Sequence, residues 1–276
     1  MDSILLNILI ALLALSITSA ITGVYAYLKN DSLSADSIAH STLPGILIGF
    51  MFAGYKSNVH LYLGAVSTGL FSQFLISYLQ AHSKLKKDSI TAIVLTSLFA
   101  LGLVLIKYVL DNPTYKNKSG LSHFLFGQAA SIQYSDVLFI TCISLFVLII
   151  FFFFGRAIKA LSFDPILFDL IGWSKTKINF VFDVTLTLTV IIGIQSVGVV
   201  LMSALIVTPA VIARALSNEF KKIAFISILA NCTCVLLGTF ISYQLENPTG
   251  PWIIISLSVV CFIALPIGSK LIKTIR

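Results

Sequence analysis

Asp36 and His40 stand four residues apart in the run SADSIAHSTLPG. On a helix that spacing puts both side chains on one face. A carboxylate oxygen and an imidazole nitrogen suit a first-row divalent ion such as manganese, iron or zinc. Two ligands are too few for a closed site, and a second copy of the chain across a two-fold axis would raise the set to two Asp and two His. From these residues alone a second reading stands beside the first, in which Asp36 caps the helix and His40 donates to a neighbouring carbonyl. Pro44 and Gly45 follow directly and predict a bend or loosening of the helix.

Other groups offer less chemistry. His60, His82 and His123 lie near the ends of apolar runs or in loops, where a polar residue at an interface is the simpler reading. Asp183 opens its apolar run and is read as structural. Cys142, Cys232, Cys234 and Cys261 all lie inside apolar runs and read as small buried hydrophobes. The chain contains no G-x-x-x-x-G-K-[ST] phosphate loop and no H-E-x-x-H helix, so ATP hydrolysis and the common helical zinc-hydrolase arrangement have no place in it.

The elements that must position Asp36 and His40 are apolar helices. Of the 276 residues 58% are hydrophobic and only 11% charged, against about 25% charged in soluble domains. Long apolar runs without strict alternation argue for membrane-spanning helices rather than a barrel. Spans are expected near 4–28, 38–54, 61–81, 90–110, 136–155, 180–199, 200–215, 222–244 and 251–270. The first run has no basic residue before it and is too long for a cleaved leader, so it reads as a retained helix. The stretch 180–215 is the insecure one: Gly193, Gly198 and Pro209 either divide it into two crossings or fold part of it back, which makes the total eight or nine.

The net charge of +7 belongs to short loops rather than to a nucleic-acid surface. Lys84, Lys86 and Lys87 mark one loop, Arg156, Lys159, Lys175 and Lys177 a second, Arg214, Lys221 and Lys222 a third, and Lys270, Lys273 and Arg276 the tail. By the positive-inside rule these face the cytoplasm. With nine crossings the N-terminus is then outside and the C-terminus inside, and 55–60, 111–135 and 245–250 face out. Residues 1–276 read as a single transmembrane domain. Within the cytoplasmic stretch 156–178, Pro165 and Asp164 suit the start of a short surface helix around 165–170.

Several segments together carry a family likeness. ADSIAHSTLPGILIGF, KLKKDSITAIVLTSLFALGLVL, GLSHFLFGQAASI, LSFDPILFDLIGW and QSVGVVLMSALIVTPAVIARAL, followed by NPTGPWIIISLSVVCFIALP, resemble in order the segments of the ABC-3 permease subunits of manganese, zinc and iron importers. The resemblance implies an all-α polytopic ABC-importer bundle in the plasma or inner membrane. It implies two permease subunits, identical or paralogous, a cytoplasmic ATPase on another chain and an extracytoplasmic metal-binding protein. It places the metal path at Asp36 and His40 and the ATPase-docking segment at Phe163, Asp164 and Pro165, with no permanently bound cofactor. LFGQAA and PTGPW are more similar to the manganese or manganese/iron branch than to the zinc branch. Ala35 stands where the family has Gly, and Ser41–Thr42 where it has a small apolar pair. A zinc-specific ABC permease is the first alternative; an ion-coupled secondary metal transporter is the second, and it would place carboxylates deep in several spans.

Overall fold

Runs of Leu, Ile, Val and Phe with no polar face to keep in water become helices that satisfy their own backbone. In the computed structural model, residues 3–54, 58–113, 134–163, 168 and 172–275 are described. They form nine α-helices: α1 (Ser3–Leu28), α2 (Ser32–Ala53), α3 (Asn58–His82), α4 (Lys87–Asp111), α5 (Tyr134–Phe163), α6 (Lys175–Val197), α7 (Val199–Leu216), α8 (Phe220–Leu245) and α9 (Thr249–Ile275). Each of the nine expected spans holds a helix.

The 180–215 stretch resolves into two helices. α6 ends at Val197 and α7 begins at Val199, with only Gly198 between them, at φ 85° and ψ 168°. A side chain is strained at that φ, which is why glycine stands there. Gly193 on α6 packs against Met202 on α7. Thr189 of α6 and Ile206 of α7 meet α1 at neighbouring positions, Thr22 and Gly23. The chain therefore reverses at Gly198, and α6 and α7 run antiparallel.

Eight of the nine helices are long and apolar enough to cross a membrane by length and composition; α2 is the exception. Its first half carries Ser32, Ser34, Asp36, Ser37, His40, Ser41 and Thr42. It is nonetheless an inner helix, buried from Ser34 to Phe50 along much of its length and packed on α3, α4, α6 and α7. The α2–α3 crossing is close because Gly45 and Gly49 face α3 and Gly64 faces back. A Cβ on Gly45 would run into the Gly64 carbonyl and the Thr68 hydroxyl, and one on Gly49 into the His60 carbonyl. Small residues that let backbones approach are the usual basis of helix packing in lipid.

α1 is the second inner helix and packs on α5, α6, α7 and α8. Its buried Ser16 and Ser19 line the contact with α8, where Asn231 is fully buried. The Asn231 amide nitrogen donates to the Ser16 carbonyl at 2.9 Å, the Ser19 hydroxyl at 3.0 Å and the Leu205 carbonyl at 3.1 Å. One side chain thus joins α1, α7 and α8.

The cysteines are free, but they do not share one environment: Cys234 is buried, Cys232 and Cys261 are half-buried, and Cys142 is exposed on α5. Their expected reading as buried hydrophobes holds for Cys234 and fails for Cys142. On the lipid-facing side of a helix an apolar thiol has no need of burial.

Candidate metal-path site

Asp36 and His40 occupy the second and third turns of α2, about 6 and 12 Å along the axis from Ser32 at 1.5 Å per residue. The His40 Nε2 lies 3.7 Å from the Asp36 Oδ1. That is an ion-pair distance and too long for a hydrogen bond, so the two heads stand side by side with their lone pairs uncommitted to each other. His40 is 26% and Asp36 39% exposed at the side chain, while the rest of this half of α2 is mostly buried. The pair thus opens onto a surface of the chain.

Capping does not explain Asp36. The residue before α2 is Asp31, and Asp36 lies inside the helix. Nor does His40 donate to a carbonyl: its Nδ1 is buried and meets no hydrogen-bond partner among the described residues. What holds the ring is Phe99 of α4, edge-on at 4.8 Å between centroids and 78° between planes. α2 runs on through Pro44 without a break. Proline has no N–H, so the His40 carbonyl loses the bond it would otherwise receive from residue 44. The expected loosening takes this form: one main-chain oxygen is released beside the imidazole while the helix stays continuous.

The remaining histidines are accounted for differently. His82 ends α3, exposed, with Nδ1 2.9 Å from the Tyr78 carbonyl and its ring stacked on Tyr78 at 4.3 Å. His60 lies in the first turn of α3, exposed, with its carbonyl against Gly49. His123 lies outside the described residues. No group of three or more His, Cys, Asp or Glu side chains suited to a metal occurs among the described residues.

The expected docking stretch 156–178 is more helical than its charges suggest. α5 continues through Arg156 and Lys159 to Phe163, and α6 begins at Lys175. Phe163 is 61% exposed at the end of α5. Lys159 lies over two rings, Phe163 at 5.8 Å and Phe220 at 4.5 Å. Asp164, Pro165 and the short helix expected around 165–170 lie outside the described residues, apart from Phe168, which is buried.

Asp183 requires a correction. It does not open its helix but lies eight residues inside α6, because α6 starts at Lys175 and takes in Lys175 and Lys177. It faces a group that the sequence reading passed over. Asp31, in the α1–α2 turn and only 4% exposed, accepts from the Lys87 ammonium at 2.8 Å and from the Ser34 hydroxyl. Lys29, in the same turn, lies 4.0 Å over the Phe182 ring and feels Asp183, Asp31 and Lys87. Burial pushes the Lys29 ammonium below its usual pKa, with Asp183 and Asp31 opposing that shift. The available signal was the KND triplet in a break too short to carry charges far into water.

Residues 1–268 match the model of the ABC 3 transport family. The chain belongs to the ABC 3 transport family. Within it, the chain is 32% identical over 270 residues to the zinc transport system membrane protein TroC of Treponema pallidum, covering 98% of this chain and 90% of that one. It is also 32% identical over 276 residues to the manganese transport system membrane protein MntC of Bacillus subtilis, covering 98% of this chain but 63%, under two thirds, of that relative's length. The solved structure of PsaBC from Streptococcus pneumoniae in complex with Fab superposes with a TM-score of 0.82 at 28% identity, covering 95% of this chain and 91% of that one. The ABC 3 chain is thus a multi-pass membrane protein of permease architecture.

Proposed function

We propose that this chain is the membrane-spanning permease subunit of an ATP-driven importer of divalent transition-metal ions, and that the ion passes Asp36 and His40 of α2. The observation that carries the reading is this polar pair, open to the surface of a mostly buried helix, within a family whose named relatives are metal transport system membrane proteins. Ionisable groups at membrane depth cost about 2.5–3.5 kcal/mol each on insertion scales, so a pair of them on one face calls for a function.

The ligand chemistry favours manganese. Asp36 offers a hard oxygen and His40 a nitrogen, the released His40 carbonyl is a further oxygen, and no thiolate stands near; carboxylate and carbonyl oxygen suit manganese better than zinc. One relative is named for zinc and another for manganese, so both ions enter the test. Each chain supplies two side-chain ligands. A second permease subunit, this chain or a paralogue, completes the set by bringing a second pair to the face where Asp36 and His40 are accessible. ATP hydrolysis falls to a separate cytoplasmic ATPase that docks at Phe163, Asp164 and Pro165. An extracytoplasmic binding protein delivers the ion. Family membership displaces the secondary-transporter reading.

The test is uptake in membranes carrying the complete importer. Asp36→Ala and His40→Ala are each expected to abolish ATP-dependent uptake while the amount of assembled complex stays unchanged. Normal uptake in both variants removes the site assignment. Manganese is expected to drive uptake at lower concentration than zinc; the reverse order assigns the importer to zinc.

A further inference from the structure

Lys29, Asp31, Lys87 and Asp183 come from three separate parts of the chain: the α1–α2 turn, the start of α4 and the interior of α6. Of these, Asp31 is committed entirely to protein partners, the Lys87 ammonium at 2.8 Å and the Ser34 hydroxyl, and is almost fully buried. A bare carboxylate so placed would be costly, so Lys87 is bound to stay with it. Lys87 is also the first residue of α4. The buried stripe of α4 continues from it through Thr91, Val94, Gly102 and Val109, all within one face at helical spacing.

That stripe turns Lys87 into a fixed point for the metal-path site. α4 meets α2 at three levels: Lys87 with Asp31, Phe99 with the His40 ring, and Gly102 against the Leu43 side chain, where an added Cβ would lie 2.7 Å from a Leu43 methyl. Asp31 and His40 are nine residues apart on one side, Lys87 and Phe99 twelve on the other. A rigid helix fixed at Lys87 cannot slide or rotate without moving Phe99 off the imidazole. Phe99 is the aromatic contact that orients His40, whose buried Nδ1 has no hydrogen bond to do so. Metal-binding imidazoles usually take their orientation from a hydrogen bond at the second nitrogen; here packing from α4 does that work.

We propose that Asp31 and Lys87 form a positioning clamp, which sets α4 against α2 and through Phe99 holds His40 in the orientation that receives the ion. The clamp rests on the reading of Asp36 and His40 as the ion's ligands. Neither Asp31 nor Lys87 touches the ion. Their loss misplaces a ligand, so apparent affinity for the ion falls while the chain still assembles and turns over.

The experiment measures initial rates of ATP-driven manganese uptake against manganese concentration in membranes carrying the complete importer, normalised to the amount of chain present. The variants are Asp31→Asn, Lys87→Met, the two together, Lys87→Arg, and Asp36→Ala as reference. Each single neutral variant is expected to raise KM about tenfold, or ~1.4 kcal/mol, with kcat changed less than about twofold. The double variant is expected to match the singles, because a broken pair cannot be broken twice. Lys87→Arg keeps the charge and is expected to stay within about twofold of the unmodified importer. Multiplicative KM effects in the double variant, a loss confined to kcat, or unchanged kinetics overturn the clamp. If Asp36→Ala abolishes uptake while Asp31→Asn and Lys87→Met are silent, the clamp falls and the site stands. If Asp36→Ala transports normally, the site falls and the clamp as a device that orients an ion ligand falls with it, even where Asp31 and Lys87 show a coupled KM effect.

Discussion

Asn231 offers the sharpest quantitative test of how the bundle is held together. Its amide carries two hydrogens and faces three acceptors at 2.9, 3.0 and 3.1 Å on α1 and α7, so two good bonds are made at a time. Side-chain bonds between membrane helices contribute about 0.6 kcal/mol on average and up to about 1.7, which puts the pair at roughly 1–3 kcal/mol. The Ser16 carbonyl keeps its backbone bond, but the Leu205 carbonyl receives none from Pro209, so Asn231→Ala also strands that buried oxygen and the loss lies in the upper part of that range. Asn231→Asp is different. It has nearly the same shape, but it sets an oxygen where the nitrogen was, against three oxygens. A buried charge stripped of its compensation costs about 3–5 kcal/mol. In detergent, the midpoint for loss of the monodisperse species on heating is expected to fall about 4–6 °C for Asn231→Ala and about 6–10 °C for Asn231→Asp, at roughly 2 °C per kcal/mol for a chain of this size. Asn218→Ala, which removes only an exposed bond to Arg214, serves as control and is expected to shift the midpoint by about 1 °C or less. The reasoning fails if Asn231→Ala behaves like the control, or if Asn231→Asp is no worse than Asn231→Ala.

Two further outcomes follow from the surroundings of α2. Gly45→Ala puts a methyl group into the Gly64 carbonyl and is expected to cost about 1–3 kcal/mol, as overpacking does, with a matching fall in thermal stability; Gly250→Ala, whose nearest neighbour would be 3.7 Å away, is expected to leave stability within about 0.5 kcal/mol. Phe99→Ala removes the edge contact on His40 and is expected to raise the manganese KM several-fold in the uptake assay, whereas Phe99→Tyr keeps the ring and is expected to stay near the unmodified value.

The helices were legible because lipid leaves a chain little choice: a run without polar residues must satisfy its own backbone, and each expected span holds a helix. Asp36 and His40 were legible for the same reason in reverse, as charges where charges are expensive. What sequence left open depended on three-dimensional neighbours. Whether Gly198 marks a kink or a reversal is decided by Gly193 meeting Met202, and nothing in either residue type announces it. α5 runs past Arg156 and Lys159, with the Lys159 ammonium lying over Phe163 and Phe220, so the charges end the apolar run without ending the helix. Asp183 looked terminal because the two lysines before it break the hydropathy, yet they belong to the helix. The pairing of Asp31 with Lys87 joins residues separated by the whole of α2 and α3, and no local pattern connects them.

The polarity of α2 bears on how the chain enters the bilayer. A helix that begins with so many hydroxyls, a carboxylate and an imidazole does not partition from the translocon on its own account, and α1 ahead of it touches it only slightly. Its natural escort is α3, which follows after a short connection and offers the Gly45–Gly64 contact. The two helices then leave the insertion machinery as a hairpin, with α3 supplying the hydrophobicity and α2 hidden against it. Lys87 arrives only after both are in place, so the charge that neutralises Asp31 is delivered last. The order of synthesis thus becomes an order of assembly, in which the most polar helix of the bundle is sheltered first and fixed second.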